Sequence, residues 1–164
     1  MLDSISEAAV VGFSGGRDRV TSGFHLAAEK VRGQVFVGCA SGLDAAVRSH
    51  FPKARVFHAA DFGRGRQAFA RRSIALVNAL ALADGLLLAF PSHPCPTGIM
   101  PAATSSQCFC GGGSGTWATL AYAIGLGCEC LVFLESLPVP AWGFLEVGAG
   151  WWSNSVSYAR LGAA

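Results

Sequence analysis

The sequence predicts an α/β fold built on a mostly parallel sheet of five or more strands, with helices on both faces. Apolar runs suited to β-strands alternate along the chain with helical patterns. The runs are almost continuously apolar, which is typical of parallel strands that are buried on both faces. Every gap between two runs is also long enough for the crossover that parallel neighbours require.

The elements follow one another in a regular order, and glycine or proline marks their boundaries. Strands are predicted at residues 8–13, 34–39, 54–60, 85–90 and 129–134. Helices are predicted within residues 20–31 and at residues 43–51, 67–82 and 115–126. This order predicts a doubly wound, Rossmann-like arrangement.

The length of 164 residues predicts a single domain, residues 1–164. Two stretches fall outside the pattern. Residues 92–113 form a predicted loop or lid, because a connection of this length usually covers or binds something. Residues 138–164 form a tryptophan-rich tail, which we expect to pack on the body of the domain or on a second subunit rather than to bind a ligand.

Composition bears on assembly and location. The chain is 52% hydrophobic and only 13% charged, against ~25% charged in typical domains, so a homo-oligomer is expected; a compact monomer with Gly and Ala on its surface is the alternative. The apolar run 74–90 is interrupted by Asn78, Asp84 and Gly85, so no membrane span is expected. The first residues carry no basic segment before an apolar stretch. We therefore expect a cytoplasmic protein with reduced cysteines.

Charge is distributed unevenly along the chain. Residues 1–72 hold 11 of the 12 Lys and Arg residues but six of the 10 Asp and Glu residues. Arginines that face one cleft favour an anionic ligand, although they can equally coat solvated helix faces.

Ligands of open α/β sheets bind beyond the carboxyl ends of the strands, where helix N-termini offer free N–H groups to phosphate. Four segments occupy such positions: the turns after the first and second strands, an arginine pair on the third predicted helix, and a glycine run before the last. The candidate ligand-binding residues are Gly12, Ser14, Gly15, Arg17, Ser41, Gly42, Asp44, Arg71, Arg72, Gly112, Gly113, Ser114, Gly115 and Thr116. Asp44 also has a structural interpretation, since an acid in the first turn complements the helix dipole.

The glycine run Gly111–Thr116 is the most informative segment. Its glycines followed by a hydroxyl at a helix start are typical of a turn that cradles phosphate. It has neither the lysine of a P-loop nor the spacing of the dinucleotide fingerprint.

Together these motifs resemble the SLOG superfamily, which joins the Rossmann domain of DNA-processing protein A (DprA) to the LOG-type phosphoribohydrolases. The resemblance covers about residues 8–134. The turn Gly12–Arg17 is similar to the first-strand turn of both branches. The run that begins at Ser41-Gly42 is similar to a longer DprA motif. The pair Arg71-Arg72 matches a basic pair of both branches, and residues 112–116 match the Gly-Gly-x-Gly-Thr of the LOG branch.

Two departures bear on activity. The LOG motif continues to a catalytic Glu where this chain has Thr119, and Gly111 replaces the proline that opens the motif. Hydrolysis of the LOG type is therefore not expected, and no catalytic residue or cofactor is assigned. A length of 164 residues is not expected to accommodate the additional domains of the DprA proteins.

The cysteines and histidines of the sequence predict no clear metal-binding or catalytic centre. Cys95, Cys108 and Cys110 offer a metal site as a minor alternative, but the Cys-x-Cys spacing is not that of paired zinc ligands. Among the histidines, only His93 is expected near a ligand.

Three hypotheses follow. The first is a domain that binds or senses a nucleotide without hydrolysing it. The second is single-stranded nucleic acid binding of the DprA kind, suggested by the basic first half. The third is a divergent hydrolase or transferase of nucleoside phosphates with an unidentified acid, such as Asp44 or Asp18.

Overall fold

A computed structural model describes residues 1–155. Its centre is a seven-stranded sheet with the order β3-β2-β1-β4-β5-β7-β6. The strands are β1 (Val10–Gly15), β2 (Gln34–Gly38), β3 (Arg55–Phe57), β4 (Leu86–Phe90), β5 (Glu129–Phe133), β6 (Leu145–Gly148) and β7 (Trp151–Ser153). The first five are parallel, whereas β7 runs antiparallel to β5 and to β6. The predicted α/β class and mostly parallel sheet are confirmed.

Six helices connect or flank these strands. They are α1 (Leu2–Glu7), α2 (Gly23–Ala28), α3 (Leu43–His50), α4 (Arg66–Leu82), α5 (Ser105–Cys108) and α6 (Gly115–Gly125). A 3₁₀ turn at Ala59–Phe62 takes the place of the second half of the third predicted strand. None of the helices described within residues 1–155 is long and apolar enough to cross a membrane.

The core consists of two apolar clusters that take alternate residues of each strand. In β4, Leu87 belongs to one cluster together with Leu80 of α4. Its neighbour Leu88 belongs to the other cluster, together with Phe24 of α2 and Val47 of α3. Successive side chains of a strand point to opposite faces. This explains why the strands read as continuous apolar runs in the sequence.

Part of the tryptophan-rich tail predicted from residue 138 onward forms β6 and β7, which extend the sheet beyond β5. Trp151 is 2% exposed and packs on Phe90 with ring centroids 5.5 Å apart. Asn154 holds the new strands to β5, since its Oδ1 accepts a hydrogen bond from the N–H of Cys130 at 2.8 Å. Residues 156–164 of the predicted tail lie outside the described residues.

The connection 92–113 is packed onto the body of the domain. Ile99 is 2% exposed and Cys108 is fully buried, and both belong to the cluster of α4 and α6. A side chain on Gly125 of α6 would overlap the backbone of Ala102. The segment and α6 therefore lie in direct backbone contact.

Candidate functional site

Three loops meet at the carboxyl ends of β1, β2 and β4. The N–H of Gly16 donates to the carbonyl oxygen of Phe90 at the end of β4, at 3.2 Å. The carbonyl oxygen of Gly16 accepts from the N–H of Leu43 at the start of α3, at 3.0 Å. The loop after β1 is thus fixed between the loops after β2 and β4.

Two glycines make this close approach possible. Gly42 has φ +65°, and a Cβ there would overlap the carbonyl oxygen of Gly16. A Cβ on Gly16 would overlap the hydroxyl of Ser92. Any side chain at either position would push the loops apart.

A polar cluster links the loops after β1 and β4. The hydroxyl of Ser92 donates to Asp18 Oδ1 at 2.7 Å, and His93 Nε2 lies 3.0 Å from Asp18 Oδ2. The hydrogen bond from Ser92, followed by a backbone hydrogen bond and the nearby His93, lowers the pKa of Asp18. Asp18 is therefore an exposed carboxylate at neutral pH. Because Ser92 donates to Asp18, the arrangement is not that of a serine activated by a histidine.

A buried ion pair lies behind the loop after β2. Arg72 Nη1 is 3.1 Å from Asp44 Oδ2, and the two side chains are only 9% and 6% exposed. The same carboxylate oxygen accepts the N–H of Ala40 at 3.1 Å. A side chain on Gly38, the last residue of β2, would overlap the Arg72 guanidinium. The pair therefore joins α3 to α4 across the end of β2.

This burial separates the arginine pair into two environments. Arg71 is exposed, and its Nη1 donates to the carbonyl oxygen of Phe62 at 3.3 Å. Arg72 lies inside with Asp44, and its Nε has no hydrogen-bond partner within residues 1–155. The geometry gives Asp44 and Arg72 a structural role in holding the loop, through an ion pair that the helix-dipole interpretation of Asp44 did not include.

Arg17 and Arg48 complete the surroundings of the loop after β2. The exposed Arg17 guanidinium lies 4.3 Å from the centre of the Phe69 ring. The hydroxyl of Ser41 donates to the carbonyl oxygen of Arg17 at 3.2 Å. Arg48, which the sequence did not single out, donates to the carbonyl oxygen of Gly38 at 2.8 Å. No carboxylate lies within ion-pair distance of Arg17 among residues 1–155.

The glycine run leads directly into α6. Gly111 and Gly113 have φ +84° and +92°, and built Cβ atoms on them would contact nothing within 4 Å, so open space lies above both. The hydroxyl of Ser114 accepts the N–H of Trp117 at 3.3 Å and caps the helix. The indole N–H of Trp117 donates to the carbonyl oxygen of His93 at 2.8 Å. The run is thereby tied to the loop after β4.

Thr116 and Thr119 occupy the positions that matter most for the comparison with the LOG motif. Thr116 is 8% exposed. Thr119, at the position of the catalytic Glu, is 3% exposed, and its hydroxyl donates to the carbonyl oxygen of Gly115 at 2.7 Å. Thr119 therefore offers neither a carboxylate nor an accessible hydroxyl.

The structure brings most of the candidate residues to one edge of the sheet. Ser14 and Gly15 are the last residues of β1, at this edge, whereas Gly12 lies inside the strand. A Cβ on Gly12 would meet Leu80 of α4 at 3.0 Å, so this glycine serves helix packing. Ser92 was missed by the sequence analysis, although its position directly after β4 is the signal that could have identified it.

The cysteine thiols of the described residues do not form a second functional site. Burial raises the pKa values of Cys95 and Cys108, so both are protonated at neutral pH. Within residues 1–155 no three His, Cys, Asp or Glu side chains are grouped so as to hold a metal ion.

Two surface cavities lie outside this convergence of loops. One of about 280 Å³ is formed by residues 95–100 together with residues 138–140 and Trp142. The other, of about 430 Å³, is formed by residues 33–35 and 50–54. Comparison with known proteins identifies no relative, since no protein-family model, curated protein or solved structure matches this chain.

Proposed function

We propose that this chain is a doubly wound, Rossmann-like domain that binds a phosphate-bearing nucleotide at the carboxyl ends of β1, β2 and β4, without hydrolysis of the LOG type. One observation carries the proposal: hydrogen bonds join the loops after β1, β2 and β4 beside the boundary between β1 and β4. The connections leave toward opposite faces at such a boundary, and ligands of open α/β sheets bind there.

The charges around these loops support an anionic ligand. Arg17 has no carboxylate partner within residues 1–155, and its planar guanidinium suits bidentate contact with phosphate. The N-terminus of α6 opens from a glycine run with free space above it. Asp18 is an exposed carboxylate at this edge, and it suits a sugar hydroxyl rather than a phosphate.

The absence of a catalytic carboxylate at position 119 supports binding rather than hydrolysis. Asp44 is buried in its ion pair. Of the two acids named for a divergent hydrolase, Asp18 is the exposed one. If base or sugar phosphate is released from nucleoside monophosphates, and Asp18→Asn abolishes that release, the binding proposal is replaced by the hydrolase hypothesis.

A thermal-shift series with AMP, GMP, CMP and UMP tests the proposal. At least one of them is expected to raise the Tm in a saturable way, because a ligand that binds only the folded state stabilises it. Arg17→Ala is expected to weaken this effect. Arg32→Ala is the matched control, since Arg32 is also exposed but precedes β2 at the opposite edge of the sheet. Equal effects of both variants would contradict the proposed location.

Single-stranded nucleic acid remains a second candidate, because exposed arginines surround the N-terminus of α4. Arg64, Arg66 and Arg71 lie there on the surface, close in sequence to the Phe69 on which Arg17 rests. Strand binding through these arginines predicts an affinity that falls steeply with salt concentration. Absent or salt-insensitive binding of an oligonucleotide at low ionic strength would exclude this candidate.

A further inference from the structure

We propose that the cavity formed by residues 95–100, residues 138–140 and Trp142, here called the Trp142 cavity, binds a nucleobase: a flat, uncharged heteroaromatic ring. This inference rests on the proposed function, because it assigns the base of the ligand whose phosphate lies at the glycine run. The ring can belong to a free nucleotide or to a nucleic acid strand, and the experiment below separates these sources.

The chemistry of the lining selects an uncharged group. No residue that lines the cavity carries a charge, and its apolar members include Ile99, Met100 and Trp142. A phosphate buried there would lose its hydration without gaining a cation, which is strongly unfavourable. The thiol of Cys95 is protonated, because burial raises its pKa. Together with the hydroxyl of Thr97, this thiol can meet the polar edge of a heteroaromatic ring.

The cavity adjoins the glycine run through two contacts. Ile99 lines the cavity, and a Cβ on Gly112 would lie 3.3 Å from its Cγ1. Trp142 lines the cavity too, and its ring packs edge-on against Trp117 in the first turn of α6, with centroids 5.6 Å apart. Two lining side chains of the cavity therefore also pack against the glycine run and the first turn of α6. A single ligand can place a phosphate at the run and an uncharged ring in the cavity.

The size of the cavity suits part of a nucleotide. Its volume is about 280 Å³, just below the ~300–1,000 Å³ of pockets that enclose a whole drug-sized ligand. It therefore has room for one ring against its lining, with the sugar and phosphate outside. Met100 and Val139 at the cavity are 57% and 37% exposed, and a bound ring would cover apolar surface on both.

The test places a negative charge in the lining and compares ligands with and without a base. The variant is Met100→Glu, and Leu82→Glu is the matched control, because Leu82 is 92% exposed at the end of α4, away from the cavity. Isothermal titration measures the affinity for AMP, GMP, CMP and UMP, for ribose 5-phosphate and for a single-stranded oligonucleotide.

The expected result is a loss of at least about tenfold in nucleotide affinity for Met100→Glu, with affinity for ribose 5-phosphate changed less than twofold. Leu82→Glu should change neither. Unchanged nucleotide affinity in Met100→Glu would overturn the base site and leave the proposed function standing. If the native chain binds only the oligonucleotide, and Met100→Glu weakens that binding, the base site holds with a strand as its source. If the native chain binds none of these ligands, the proposed function and the base site both fail.

Discussion

Replacing Asp44 by alanine tests the buried ion pair that holds the loop after β2. The substitution leaves the Arg72 guanidinium, whose side chain is 9% exposed, without its counter-charge. It also removes the acceptor of the Ala40 N–H. Breaking a buried pair by removing one partner costs ~3–5 kcal/mol. For a chain of this size, each kcal/mol corresponds to a Tm shift of ~2–4 °C.

We therefore expect Asp44→Ala to lower the Tm by ~6–20 °C. Urea denaturation followed by tryptophan fluorescence gives the free energy of unfolding directly. The double variant Asp44→Leu/Arg72→Met is expected to recover most of the loss, because apolar replacement of a buried pair is often neutral.

A double-mutant cycle between the two positions isolates their coupling. The side chains are in contact, so a coupling energy of ~0.5–3 kcal/mol is expected. The account of the pair would be refuted by a loss below ~0.5 kcal/mol for Asp44→Ala, the range of ordinary surface substitutions. Additive effects of the two single substitutions would refute it as well.

Three further outcomes are expected. Ser114→Ala should lower the free energy of unfolding by ~1 kcal/mol; an unchanged free energy of unfolding would show that the hydroxyl does not cap α6. Gly38→Ala should clearly lower the free energy of unfolding, because the new methyl group would overlap the buried ion pair. Gly148→Ala is the control: its new methyl group meets nothing within 4 Å, so it should change the free energy of unfolding by less than ~0.5 kcal/mol. Similar effects of the two substitutions would contradict the close packing at Gly38. Because the fold lowers the pKa of Asp18, its carboxylate stabilises the protein above the pKa of the unfolded chain, about 4. This contribution is lost as the pH falls through the lower folded pKa, so Asp18→Asn should flatten the acid limb of stability against pH below about 4; identical acid limbs in the two proteins would contradict it.

The central parallel strands could be predicted because burial on both faces leaves a plain signal in the sequence. All five residues of β4, Leu86–Phe90, are buried and apolar. The signal fails for short elements at the periphery. Helix α1 has six residues and buries only Ile5, so no apolar period identifies it. The edge strand β6 is almost entirely exposed, so alternation between core and solvent does not mark it.

The sequence predicts the parts of the candidate site that depend on where a residue lies along the chain. It does not predict the parts that depend on which side chains pair with each other. Glycine turns that follow strands must lie at the carboxyl edge of a parallel sheet, which identified Gly15 and Gly42. The contact between Asp44 and Arg72 spans 28 positions, and no spacing rule specifies it. The interpretation of Arg71-Arg72 as one basic motif failed to separate an exposed side chain from a buried one, because both lie in the same helix and differ only in the face they occupy.

Titration of the isotope-labelled protein with nucleoside monophosphates, followed by amide chemical shifts, tests the central claim most directly. The account predicts saturable shifts at the three loops and the glycine run, centred on Gly16, Ser41 and residues 112–116. Saturable shifts confined to another surface would contradict the proposed site. The absence of any shift at millimolar ligand would contradict nucleotide binding itself.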